Sequence, residues 1–143
     1  VVGARQGLQP DIADIIDTAE TKTQANSKLN LTIAFNYGGQ DEIVRAARAI
    51  VEDAIAGKVK PGDITADTFA AYLDTHVLPP LDLLVRTSGE YRLSNFMLWQ
   101  AAYAELVFLD VLWPDFGKEA LDQAIDVYRG RDRRFGGSTS GAA

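Results

Sequence analysis

Three short apolar runs, at residues 29–35, 81–85 and 106–109, constrain the fold of this chain more than any other feature. The first, Leu29-Asn30-Leu31-Thr32-Ile33-Ala34-Phe35, alternates apolar residues with polar or small ones, which is the period of a strand with one buried face. The other two are too short for helices and rich in Leu and Val, as buried strands are. Helical patterns fill the intervals. Pro10 suits a first helical turn, and Ile12, Ile15, Ile16 and Ala19 then recur at helical spacing across 11–23. Asn36-Tyr37-Gly38-Gly39 turns the chain into a second helix carrying Ile43, Ala46, Ala47, Ile50, Val51 and Ala54 on one face, with Gly57 ending it. After a Pro/Gly linker at 58–63, Thr65 is placed to cap a short helix through Phe69 and Tyr72. Ser94 is expected to cap a helix over 95–104, and a last helix runs from Lys118 through Leu121, Ile125 and Tyr128.

Strands alternating with helices predict an α/β fold, a parallel sheet flanked by helices. Three strands make a thin sheet for that architecture, because both faces of a parallel sheet have to be covered. The chain also begins at Val1, and its single methionine is Met97. Both observations lead to the expectation of an incomplete fold whose N-terminal part is missing. Such a piece should expose apolar surface and aggregate or pair through it.

A length of 143 residues is one domain's worth of sequence. The net charge of −6 argues against nucleic acid as a partner, which would call for a broad basic face. No apolar run is long enough to span a membrane, and the absence of cysteine excludes disulfides and thiolate metal sites. A cytoplasmic protein is the simplest reading, compatible with peripheral membrane contact.

Against this acidic background, Arg86-Thr87-Ser88-Gly89-Glu90-Tyr91-Arg92-Leu93-Ser94 concentrates two arginines, two serines, a threonine and a glycine. Fixed cations, hydroxyl donors and a pliable backbone are the ingredients of an anion pocket. Arg86 directly follows the run 81–85, and ligands of open parallel sheets bind beyond the carboxyl ends of strands. Ser94 at a helix start would add the favourable N-terminal dipole. A diphosphate suits two guanidinium groups better than a single carboxylate does. The plainer alternative makes both arginines ion-pair partners of Glu90 and Ser94 a simple cap; on composition alone the two readings are evenly matched.

Other candidates are weaker. Gly38-Gly39 lacks the spacing of a phosphate-binding loop and reads as a tight turn. His76, the single histidine, is expected at a helix end, partly exposed. Arg129, Arg131, Arg133 and Arg134 fit the end of the last helix, where cations favour the dipole. The pairs Trp99/Tyr103 and Trp113/Phe116 read as core or interface aromatics.

The stretch from Arg86 to Gln100 closely resembles the C-terminal signature of the cis-prenyltransferases, the undecaprenyl diphosphate synthase family. The resemblance continues through Ala102-Tyr103-Ala104-Glu105-Leu106 and Asp110-Val111-Leu112-Trp113-Pro114-Asp115-Phe116. Asn36-Tyr37-Gly38-Gly39 and Arg133-Arg134-Phe135-Gly136-Gly137 match further motifs in the same order. The resemblance covers residues 26–137. It makes residues 1–137 the C-terminal part of one catalytic domain and 138–143 a disordered tail.

The resemblance implies a transferase that adds isopentenyl diphosphate to an allylic diphosphate, usually farnesyl diphosphate. Each addition forms a cis double bond, and the product is a long polyprenyl diphosphate such as undecaprenyl diphosphate, precursor of the lipid carrier for cell-wall synthesis. It assigns isopentenyl diphosphate to Arg86, Arg92 and Ser94, with backbone help at Leu93. Glu105 is implied as a magnesium-site carboxylate near a homodimer interface. Arg134 and Gly136 belong to a motif that reaches the partner subunit's diphosphate site. Leu29 and Leu31 are expected to line an apolar tunnel. The family's Asp-Gly-Asn-Gly-Arg loop, with its principal magnesium aspartate, has no counterpart here, so no catalytic residue is assigned and the chain alone is expected to be inactive. Gln40 and Tyr91 depart from commoner family residues. Two alternatives stay open: a non-catalytic partner subunit of such an enzyme, and a general phosphate-binding α/β module.

Overall fold

The computed structural model describes residues 1–131, which divide into two compact units, Val1–Pro79 and the chain from Pro80 onward. In the first unit α1 (Pro10–Thr23) begins at its proline, as predicted. Proline fits there because its missing N–H would be unpaired in any case. Helix α2 (Gly39–Ile55) ends at Gly57, whose φ of 75° breaks the right-handed path. Helix α3 (Ala66–Ala70) is short, and Thr65 caps it by accepting a hydrogen bond from the Thr68 N–H at 3.1 Å. Val2, Ile16, Ala46, Ile50 and Leu73 are the buried apolar residues of this unit.

Three expectations for this unit change. The alternating run 29–35 is extended but forms a single parallel bridge, Ala34 to Val2, rather than a strand. Two hydrogen bonds hold it, Val2 N–H to the Ile33 carbonyl and Phe35 N–H to the Val2 carbonyl, both 2.9 Å. The apolar positions Leu29, Leu31, Ile33 and Phe35 all lie exposed, so the alternation marks a face that the described residues leave uncovered. Secondly, the turn into α2 pivots on Asn36, with φ 51°, and not on the glycine pair. Asn tolerates the left-handed region, and its side-chain amide secures the turn by donating to the Ala4 carbonyl at 2.8 Å. Thirdly, the buried stripe of α2 runs through Gly39, Glu42, Ala46 and Ile50, while Ala47 and Val51 face solvent.

The place of Gly3 is dictated by close approach. Its φ is 121°, and a Cβ there would lie 2.1 Å from the Phe35 carbonyl oxygen. Any side chain would part the backbones that the Val2–Ala34 bridge joins.

In the second unit, β1 (Leu83–Arg86) and β2 (Glu105–Phe108) pair in parallel, with Leu83 opposite Glu105 and Arg86 opposite Phe108. Helix α4 (Lys118–Arg129) packs its Ala124 on this sheet. Val107, Leu109 and Ala124 form the buried centre, flanked by Leu83, Val85, Val111, Phe116 and Ala120. Burying each of the larger aliphatic side chains contributes about 1.5–3 kcal/mol. The expected parallel α/β arrangement is therefore present, with two strands rather than three in the sheet among the described residues.

The expected helix over 95–104 does not form. Ser94, Asn95 and Met97 have φ values of 49°, 63° and 50°, which a right-handed helix cannot contain. Only a 3₁₀ turn, Gln100–Tyr103, follows before β2. Trp113 stacks on Phe116 at 5.6 Å but stays largely exposed, as does Tyr103, whereas Phe116 packs against the buried centre; of the expected core or interface aromatics, Trp113 and Tyr103 are therefore not core residues.

Candidate functional site

Strand β1 delivers Arg86 at its carboxyl end, where the Leu109 N–H donates to the Arg86 carbonyl at 2.8 Å and prolongs the strand register. The loop that follows reverses through Ser88 and Gly89, with φ of 70° and 64°. Their N–H groups were candidates for anion contact. Both are already used: Ser88 donates to the Val111 carbonyl at 2.8 Å and Gly89 to the Leu109 carbonyl at 3.0 Å. The loop is thereby stitched to the segment after β2. The Tyr91 ring rests on Phe108, 5.2 Å between centroids, and fixes the far side of the turn.

This geometry gathers the charged side chains. Arg86 donates from Nη1 to the Arg92 carbonyl at 2.6 Å. The Glu90 carboxylate pairs with Arg92, and its Oε2 lies 3.9 Å from Arg86 Nη2. One carboxylate thus serves two guanidinium groups, leaving the trio with a net charge of about +1. Arg86 is the more enclosed cation, its side chain 25% exposed against 66% for Arg92.

Beside this trio lies a recess of about 240 Å³ lined by Leu84, Val85, Arg86, Thr87, Leu93, Ser94 and Phe96. A single water needs only about 10–15 Å³ by the same measure, so a small anion has room here. The structure therefore brings Arg86, Leu93 and Ser94 onto one recess, and connects Arg92 to it through its carbonyl and through Glu90. Ser94 does not stand at a helix start, so a helix dipole adds nothing here. What remains for an anion is one enclosed guanidinium, a second exposed one, and the hydroxyls of Thr87 and Ser94.

Glu105 opens β2 and accepts a hydrogen bond from Arg131 Nη1 at 2.8 Å, while the same nitrogen reaches the Leu106 carbonyl at 3.1 Å. Among the described residues no group of three or more His, Asp or Glu side chains converges on one point. Magnesium commonly takes one or two carboxylates together with phosphate oxygens and water. Glu105 fits that pattern as a single ligand, with substrate oxygens needed for the rest. Arg134 and Gly136 lie outside the described residues. His76 is exposed, with its Nδ1 2.9 Å from the Leu73 carbonyl.

The comparisons with known proteins agree with the order of motifs. The prenyltransferase family model described as "Putative undecaprenyl diphosphate synthase" matches residues 1–136. The chain belongs to this family. The isoprenyl transferase of Caulobacter vibrioides is 58% identical over 137 residues, 96% of this chain and 53% of that protein. That of Brucella suis is 52% identical, over 96% of this chain and 54% of its own length. Among solved structures, lavandulyl diphosphate synthase from Lavandula x intermedia, in complex with dimethylallyl diphosphate, superposes with a TM-score of 0.91 at 41% identity. The match covers 94% of this chain and 58% of that one. A probable undecaprenyl diphosphate synthase from Campylobacter jejuni gives 0.79 at 34% identity, over 94% and 61%. The chain spans about half the length of the curated relatives it matches.

Within this member of the family, Glu90 is the residue of the loop whose importance the sequence did not reveal. It was visible there only as a partner for either arginine. Its spacing, four residues after Arg86 and two before Arg92, is the signal that it could reach both.

Proposed function

We propose that this chain carries the isopentenyl diphosphate side of a chain-elongating cis-prenyltransferase. The observation that supports this most is Arg86, a half-enclosed guanidinium at the carboxyl end of β1, sharing one recess with Leu93 and Ser94. In this reading Arg86 holds the diphosphate as a charge-assisted, forked donor. Arg92 neutralises its outer oxygens, and the Ser94 hydroxyl and Leu93 backbone complete the grip. The apolar side chains of Leu84, Val85 and Phe96 give the hydrocarbon end a surface to lie against.

The reaction breaks the allylic C–O bond, releases diphosphate, joins the isopentenyl double bond to the allylic carbon and returns a proton to solvent or phosphate. These residues contribute by orienting one reactant while the other ionises. Magnesium, when bound, would offset the charge of the departing diphosphate, with Glu105 as one carboxylate. Farnesyl diphosphate as starter, a long product of the undecaprenyl type, a homodimer with Arg134 and Gly136 at the partner's site, and a cytoplasmic setting belong to the same proposal. No helix among the described residues is long and apolar enough to cross a membrane.

The test is magnesium-dependent incorporation of labelled isopentenyl diphosphate by the complete protein. Arg86→Ala is expected to raise the KM for isopentenyl diphosphate at least tenfold. Unchanged KM in both Arg86→Ala and Arg92→Ala would remove the assignment.

A further inference from the structure

We infer that Glu90 is a built-in counter-anion of this site, a carboxylate that holds the two arginines together in the absence of ligand and gives them up when a diphosphate arrives. The inference rests on the proposed role of Arg86 and Arg92 and concerns how that role is regulated. Three observations carry it. Glu90 is the only acid in the loop, and its one carboxylate pairs with Arg92 while standing 3.9 Å from Arg86. Arg86 and Arg92 are also connected directly, through the 2.6 Å bond from Nη1 to the Arg92 carbonyl. Their relative placement therefore does not depend on Glu90 alone. Finally, the Glu90 side chain is 34% exposed although its Oε2 itself is buried, so the carboxylate reaches solvent only by turning outward from the arginines.

The charges set the consequence. With Glu90 in place the trio offers a diphosphate about one unit of positive charge; with Glu90 turned away it offers two. Binding then includes the loss of the internal pairs, and the apparent affinity is lowered by whatever those pairs contribute. Partly exposed ion pairs are individually weak, so the expected attenuation is modest, about three- to tenfold. Such a carboxylate would also ease departure of the diphosphate that the elongated product still carries, by competing for the cations it vacates.

The opposite role is a buttress. If Glu90 instead fixes the guanidinium groups in their binding posture, removing its charge would loosen them and weaken binding. The two roles predict opposite signs. Isothermal titration of inorganic pyrophosphate into the complete protein separates them. Glu90→Gln, which keeps the size and loses the charge, is expected to bind pyrophosphate about three- to tenfold more tightly, with a steeper fall in affinity as salt is raised. Glu90→Asp keeps the charge and should stay within about twofold of the unsubstituted protein. In turnover, Glu90→Gln should lower the KM for isopentenyl diphosphate and leave the chemical step in a single-turnover measurement unchanged.

Weaker or equal pyrophosphate binding by Glu90→Gln, in a protein whose thermal melt is unaltered, overturns the inference. Arg86→Ala run in parallel keeps the two failures apart. If Arg86→Ala binds pyrophosphate normally, the diphosphate site itself is wrong; if it loses binding while Glu90→Gln does not gain any, only the counter-anion role falls.

Discussion

Two arginine clusters, one in each compact unit, use the same chemistry in opposite proportions. In the first unit Arg45 stands between two carboxylates. It meets Asp74 through both Nη atoms at 2.7 Å and Asp41 through Nε at 2.8 Å. In the second unit two arginines share the single carboxylate of Glu90. Arg45 is saturated in charge, its fork matched to one carboxylate and its Nε–H to another. The cluster at Arg86 keeps cationic capacity in reserve, beside a recess. A saturated arginine ties a fold together, and an under-compensated one is available to a ligand.

That contrast can be broken from either side. The largest effect is expected at the recess: Arg86→Ala should weaken pyrophosphate binding by about thirtyfold, the value of a charge-assisted contact of ~2 kcal/mol, measured by calorimetry. Its thermal stability should change little. Asp74→Ala should do the reverse, destabilising the protein by about 2 kcal/mol in a denaturant titration, with ligand binding retained. Arg92, more exposed than Arg86, should matter less, so Arg92→Ala is expected to weaken pyrophosphate binding only about three- to tenfold.

Acid gives a further distinction. Arg45 beside Asp74 holds the Asp74 carboxyl below its ordinary value, helped by the backbone N–H of Gly3 and opposed by partial burial. A carboxyl depressed in the folded state contributes stability that is complete above its unfolded value, about 3.9, and is lost as pH falls through the lower folded value. Denaturation midpoints of the parent protein should therefore drop more between about pH 5 and pH 2 than those of Asp74→Asn. The smallest effect belongs to a cap unrelated to either cluster: Thr65→Ala should cost about 1 kcal/mol through the lost Thr68 contact and leave binding untouched.

Much of this architecture was legible in the sequence, for identifiable reasons. Helices α1, α2 and α4 combine apolar periodicity with a proline start or a glycine stop, and local signals of that kind survive tertiary context. The two strands of the sheet were short apolar runs bounded by turn residues. The helix expected after Ser94 was not legible as absent. Its composition permits a helix, and the decision lies in three left-handed residues, of which Asn95 is the only type that commonly adopts that conformation. The run 29–35 showed its alternation correctly but not its pairing, because a strand needs a neighbour and among the described residues only Val2 supplies one.

At the site, Arg86 was legible from its position after a strand, whereas the division of labour within the loop was not. Sequence could offer Glu90 to either arginine; only the fold shows it near both. Glu42 teaches the same lesson from the core side. It lies on the buried stripe with Ala46 and Ile50, only 1% exposed, and its Oε2 accepts a hydrogen bond from the Tyr37 hydroxyl at 2.7 Å. The spacing 42, 46, 50 announced that position as inward facing, but the charge of the residue concealed it.

The stitched half of the Arg86 loop also works as a ruler. Ser88 and Gly89 are pinned by their N–H groups to Val111 and Leu109, so the distance along the chain from that anchor to Arg92 is fixed at three residues. A residue inserted between Gly89 and Arg92 would leave the anchor intact and carry Arg92 off the Arg86 guanidinium, whereas one inserted after Ser94 would leave the trio aligned. Tolerance to insertion should therefore change abruptly within a few positions of a loop whose surface position alone would suggest that any length is acceptable.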